Sequence, residues 1–217
     1  MVEWIDWLDF ELGDYRDSLY HRVRAAYLAA YSVLEREHRQ GQEKVQHDLD
    51  SATDEEEIAF YDGVLRYEED RWNYQRQALA AMAMALLASL NKSFLDEQKS
   101  RMDRTHPPSP KGYRGASQVA RQIEEYKARF GVDLEKNEGF STVREVELAR
   151  HCCLHNNGRL TEDYQTQTKQ RLVGEWGDID MAPETLDLLI EELSAFADSL
   201  NSQLREIRRG GHKPQIS

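Results

Sequence analysis

Apolar residues recur at intervals of three and four along almost all of this 217-residue chain, and that spacing limits what it can fold into. Leu19, Val23, Ala26, Tyr27, Ala30, Val33 and Leu34 line one face of an amphipathic helix. Ile58, Tyr61, Leu65, Trp72, Leu79, Met82, Leu86, Leu90 and Phe94 do the same over a longer stretch. The acidic segment 48–57 between them reads as a turn, so the two helices form an antiparallel hairpin. Trp4, Trp7 and Leu8 read as a separate short helix, with Gly13 as the break. The proline cluster His106-Pro107-Pro108-Ser109-Pro110 stops the long helix.

Beyond the prolines, Val119, Ile123, Tyr126 and Phe130 mark a short helix closed by Gly131. Thr142 and Glu145 have the spacing of a capping box and open the next helix. Segment 159–181 is weakly periodic, holds Gly174 and Gly177, and reads as a loop with one helical turn set. Pro183 suits a first helical turn, and Leu186, Leu189, Ile190, Leu193, Phe196, Leu200, Leu204 and Ile207 define the last helix. The expected architecture is a single all-α helical bundle. It comprises N-terminal helices (1–54), a long helix (55–104), a linker with a short basic helix (105–140), a motif helix (141–158), a loop (159–182), a C-terminal helix (183–209) and a tail (210–217). No strand pattern or internal repeat stands out.

With 31% charged and 40% hydrophobic residues, the chain reads as globular rather than disordered. No cationic leader precedes an apolar segment, so no signal peptide is expected. The apolar run 78–90 is too short to span a bilayer and reads as a central buried helix; no membrane partner is expected. Cys152 and Cys153 are neighbours, a poor geometry for a mutual disulfide, and a reducing cytoplasm fits them. A net charge of −12 argues against indiscriminate nucleic-acid coating. The charge is uneven, however. Segment 43–70 is acidic, whereas Lys99, Arg101, Arg104, Lys111, Arg114, Arg121, Lys127 and Arg129 make a basic stretch. It is either a solvated helix face or a surface for a selective polyanion.

Arg150-His151-Cys152-Cys153-Leu154-His155 ends the motif helix, followed by a helix-stopping Asn156-Asn157-Gly158. Val143, Val146, Ala149, Cys153 and Leu154 form an apolar stripe on the wheel, and Arg150 falls inside it. A guanidinium there needs an anion or a dense set of acceptors. A structural reading makes Arg150 an interface arginine and His155 a helix cap. A functional reading makes the pair a phosphate site. His151 and His155, with the two cysteines between them, also raise zinc. Cys152 and Cys153 point about 100° apart, however, and no second ligand pair exists, so no metal and no cofactor is expected.

The string Ala149-Arg150-His151-Cys152-Cys153-Leu154-His155-Asn156-Asn157-Gly158, on the penultimate core helix of a small all-α chain, resembles the motif of the HEPN superfamily. The resemblance implies a metal-independent endoribonuclease, often a toxin or an antiviral defence effector. RNA would be its substrate, and an antitoxin or other regulatory protein a possible partner. On that resemblance His155 is the acid/base and Arg150 the phosphate clamp, His151 helps to orient or bind, and Asn156 bonds the phosphate or an imidazole. Some members carry a tyrosine that a nucleotidyltransferase antitoxin modifies; Asn157 stands there. Where many carry Asn after the arginine, this chain has His151. Donors on both sides of a phosphate imply a homodimer with the two motif helices facing each other and the stripe buried between them. The alternative is a non-catalytic helical dimer binding a nucleotide or protein, or an accessory subunit of a defence complex.

Overall fold

Asp54 turns the chain back on itself. Its carboxylate accepts the Glu57 backbone N–H at 2.8 Å, while the Glu57 carboxylate accepts the Thr53 N–H at 3.3 Å. This reciprocal cap opens a helix with Glu55, Glu56 and Glu57 in its first turn, where the helix dipole favours negative charge. The computed structural model describes the backbone of residues 2–103, 105–109, 112–115, 117–174 and 177–210, with side chains from Arg16 to Arg209 within those ranges. The tail beyond 210 lies outside the described residues.

The hairpin pairs α1 (Val2–Ser51) with α2 (Glu55–Met102), so the turn is only residues 52–54 and much shorter than the acidic segment suggested. Matched layers hold it. Tyr20 donates its hydroxyl to Asn91 Oδ1 at 2.7 Å, and His38 stacks on Trp72 with ring centroids 4.9 Å apart. Gly13 does not break α1, which runs unbroken from Val2. One glycine inside a helix costs only about 1 kcal/mol, too little by itself to end it.

The remaining elements close over one end of the hairpin. Helix α3 (Gln118–Phe130) starts at a Ser117 cap, ends at left-handed Gly131, and donates the Tyr126 hydroxyl to the Leu95 carbonyl at 2.7 Å. A 3-10 turn at Leu134–Lys136 leads into α4 (Phe140–His155), then α5 (Glu162–Gln167) and α6 (Pro183–Gly210). Helix α6 lies against α1 through Arg24–Asp187 (2.5 and 2.8 Å) and Arg16–Asp198 (3.0 Å), above a continuous apolar cluster. Leu186, Leu189, Ile190, Leu193, Phe196, Leu200 and Leu204 are all buried there, as the periodicity predicts. Six helices, with no strand among the described residues, make an all-α bundle; only two isolated antiparallel bridges occur, Arg159–Asp178 and Val173–Ile179.

The apolar run 78–90 is not buried on all sides. Ala80, Ala83, Met84, Leu87 and Ala88 are buried, but Met82 and Leu86 are 64% and 50% exposed. Among the described residues α2 is the one helix long and apolar enough, by length and composition, to cross a membrane; 39% of that window is buried inside the protein.

Candidate functional site

Helix α4 begins earlier than the Thr142–Glu145 spacing implies. Gly139 adopts a left-handed conformation (φ 74°) and its carbonyl accepts the Thr142 and Val143 N–H groups. A Cβ on Gly139 would lie 2.1 Å from the Glu192 carbonyl oxygen, so only glycine permits α4 to approach α6 so closely. Thr142 and Glu145 are therefore not a capping box but buried members of the first two turns.

They anchor a polar clasp that the sequence reading missed. The Glu145 side chain is fully buried and accepts from the Tyr164 hydroxyl (3.1 Å), the Arg171 backbone N–H (2.8 Å) and Arg171 Nε (2.9 Å). Arg171 also donates to Glu192 at 2.9 Å and to Thr142 Oγ1 at 2.8 Å. Burial pushes the Glu192 carboxyl up, and its bonds from Thr142 and Arg171 outweigh that, leaving it below the ordinary carboxylate value. On the helical wheel Glu145 stands about 40° beyond Ala149, just outside the apolar stripe, so little marked it as buried. Nothing in its spacing indicated that its partner stood 26 residues on.

The clasp and α5 rotate the buried face of α4. Val143, Val146 and Ala149 are buried as expected, but the fourth position is Cys152, whose Sγ lies 3.6 Å from Thr161 Oγ1. Cys153 is half-buried, its thiol pushed up to about 11 mainly by burial, and Leu154 is 53% exposed. Neither completes the stripe. Arg150 consequently sits at the stripe's edge rather than within it, 41% exposed, and meets Glu147 across its own helix at 3.6 Å. Burial raises the Glu147 carboxyl, with Arg150 partly countering.

His151 and His155 are exposed, and the structure brings their rings together, with centroids 4.9 Å apart and planes at 44°. Arg150 makes no hydrogen bond or ring contact with either imidazole among the described residues. Asn156 caps the helix, its N–H donating to the Cys152 carbonyl at 3.0 Å. Its side-chain amide donates to the Arg159 carbonyl at 2.8 Å, so it braces the turn instead of reaching an imidazole. Asn157 (φ 51°) and Gly158 (φ 80°) are both left-handed, the helix stop that the sequence announces. The Gly158 carbonyl then accepts the Ile179 N–H at 2.8 Å, pinning the motif's end to the far side of the loop.

Half of the described residues of the basic stretch are paired with acidic neighbours. Lys99 pairs with Asp96 and Glu125, Arg101 with Glu97, and buried Arg129 with Glu125, Asp103 and the His106 carbonyl. Arg114, Arg121 and Lys127 are the exposed remainder among the described residues; Arg104 and Lys111 lie outside them. The described residues contain no group of three or more His, Cys, Asp or Glu side chains placed to hold a metal ion.

Chemically, the end of α4 offers two solvent-facing imidazoles beside a half-exposed guanidinium that is held by a single weak intrahelical partner. Imidazoles move protons near neutral pH, and a guanidinium fork suits a phosphate. Comparison with models of known protein families, with curated proteins and with solved structures finds no match to the chain.

Proposed function

We propose that the protein is a metal-independent endoribonuclease of the HEPN type, acting as a toxin or defence effector, with its chemistry at the C-terminal end of α4. The observation that supports this most is the pairing of His151 and His155, 4.9 Å apart and open to solvent, next to accessible Arg150. In this reading the RNA 2′-hydroxyl gives its proton to an imidazole and attacks the adjacent phosphorus. The P–O5′ bond breaks, and a protonated imidazole supplies the proton to the leaving oxygen. The products are a 2′,3′-cyclic phosphate and a 5′-hydroxyl. Arg150 leaves Glu147 and binds the phosphoryl oxygens as charge develops on them. His155 is the acid/base and His151 its neighbour in binding or proton transfer; Asn156 shapes the turn.

Attack and protonation need donors on opposite sides of the phosphorus, so the reading includes a second copy of the motif from a homodimer. Val143 and Val146 lie inside one chain's core and are not available to that contact. Incubating purified protein with total RNA in EDTA, wild type beside His155→Ala, tests the proposal. Cleavage by the wild type alone, leaving cyclic phosphate ends, supports it. Equal cleavage by both, or activity that needs added metal, ends it.

A further inference from the structure

Five of the most exposed large apolar side chains of the protein stand in one line. Phe60, Tyr67, Tyr74, Met82 and Leu86 are each 50–73% exposed. At 100° per residue they fall within an arc of about 120° on α2, and the first three are spaced seven residues apart. Ala78 and Ser89, both exposed, and half-exposed Ala85 fall in the same arc, as do Gln75 and Arg71, the latter 40% exposed near the centre of the stripe and paired with Glu68. Trp72, which meets Tyr31 and His38 of α1, lies about 100° around α2 from the centre of the stripe, and Arg76, which bonds Asp180, about 140°. A largely apolar line of this length on an exposed helix face calls for a cover.

The order of sizes along the stripe identifies the cover. Its N-terminal half is aromatic and its C-terminal half is mostly small. Its charges are ordered as well, with Glu56 near one end and Lys92, half-exposed, near the other. We propose that α2 pairs with α2 of a second copy, antiparallel, about a two-fold axis passing near Tyr74. That register sets Phe60 over Ser89 and Ala85 of the second copy and Tyr67 over its Met82 and Ala78. It also sets Glu56 against Lys92 at both ends of a seam about 54 Å long. A parallel pairing stacks ring on ring, leaves the small half unfilled, and sets acidic residues against their own copies.

The seam rests on these observations alone and does not require RNA chemistry. One consequence does rest on the proposed function. Gln77, about 120° around α2 from the centre of the stripe, is the nearest side chain of α2 to Gly158 at the end of the motif. A two-fold normal to two antiparallel helices keeps each flank on its own side. The two motif ends therefore flank the axis on the same side of the dimer.

Light scattering and sedimentation of the full chain over a concentration series test the seam. The expected result is a dimer that Tyr67→Glu with Met82→Glu converts to a monomer of unchanged helicity. Glu56→Lys weakens the dimer about tenfold, because two-fold symmetry doubles each charge clash, and adding Lys92→Glu restores it. Mild oxidation cross-links the Phe60→Cys, Ser89→Cys double variant but neither single variant. A monomer at every concentration overturns the proposal, as does a monomer that instead floats with phosphatidylcholine vesicles. A dimer indifferent to Tyr67→Glu with Met82→Glu, or cross-linking of Phe60→Cys alone, overturns the surface or its direction. RNA cleavage by a monomer sinks the seam and the two-copy arrangement but spares the assignment of His155 and Arg150; a dimer without cleavage spares the seam and ends the catalytic reading.

Discussion

Replacing Arg171 with methionine is the sharpest test of how α4 is held. The change keeps most of the aliphatic volume and removes the guanidinium bonds to Glu145, Thr142 and Glu192. Glu145 has no exposed side-chain surface, so its carboxylate is left inside the protein without its countercharge. Breaking a buried pair from one side costs about 3–5 kcal/mol. The lower end applies, because the Tyr164 hydroxyl and the Arg171 backbone N–H still donate to Glu145, and Arg171 is itself 15% exposed. A loss of about 3 kcal/mol in a chain of this size lowers Tm by roughly 6–12 °C. Adding Glu145→Gln should recover part of the loss, since the stranded charge disappears while an acceptor for Tyr164 remains. Paired thermal melts of the wild type, both single variants and the double variant measure this as a cycle. A fall of less than about 2 °C for Arg171→Met alone would show that the clasp does not hold the loop to α4, and that the rotation of the helix has another cause.

His155→Ala and Arg150→Ala should abolish RNA cleavage while changing stability by less than about 0.5 kcal/mol, because both side chains are solvent-accessible; chemical denaturation beside the cleavage assay checks this. Arg150→Lys should be nearly as impaired in cleavage, since an ammonium does not reproduce the guanidinium fork. Val146→Glu should fail to fold rather than yield folded monomers, because Val146 has no exposed surface within a single chain; a folded, helical variant refutes this placement. Glu192 is held below its unfolded value, so its contribution is fully present above about pH 4.3 and is lost as pH falls through the folded value. Acid titration of wild type and Glu192→Gln should therefore diverge above that window and converge below it.

Local periodicity made α3, α6 and the long α2 legible, because each turns a recurrent apolar face to the core. The helix stop at Asn157-Gly158 was equally readable, since two consecutive left-handed residues leave few alternatives. Gly13 lies inside α1, Thr142 and Glu145 do not form a capping box, and Cys152 replaces Cys153 and Leu154 in the buried face. In α4 the close approach to α6 at Gly139 and the bonds from Arg171 to Glu145 overrode a sound local preference. For the candidate site, the string 150–158 marked its position, and the Arg150–Glu147 pair and the Asn156–Arg159 brace are local contacts three residues apart; how far Arg150 stands from the buried face was set by long-range packing of α4.

The hairpin has a mechanical consequence. Helices of 50 and 48 residues reach about 75 and 72 Å, well beyond the region that α3 to α6 cover. Beyond Tyr31 and Trp72 the polar and ring contacts among the described residues run only between α1 and α2 or within one of them. That distal arm is a two-stranded lever, stiff along its length and secured at its base. A torque applied at its acidic tip passes down α2 to Arg76 and Gln77. These residues bond to Asp180 and Asp178 on the same loop that pins the end of α4. Among the described residues a path of covalent chain and polar contacts therefore runs from the arm to the end of α4, where the two histidines stand.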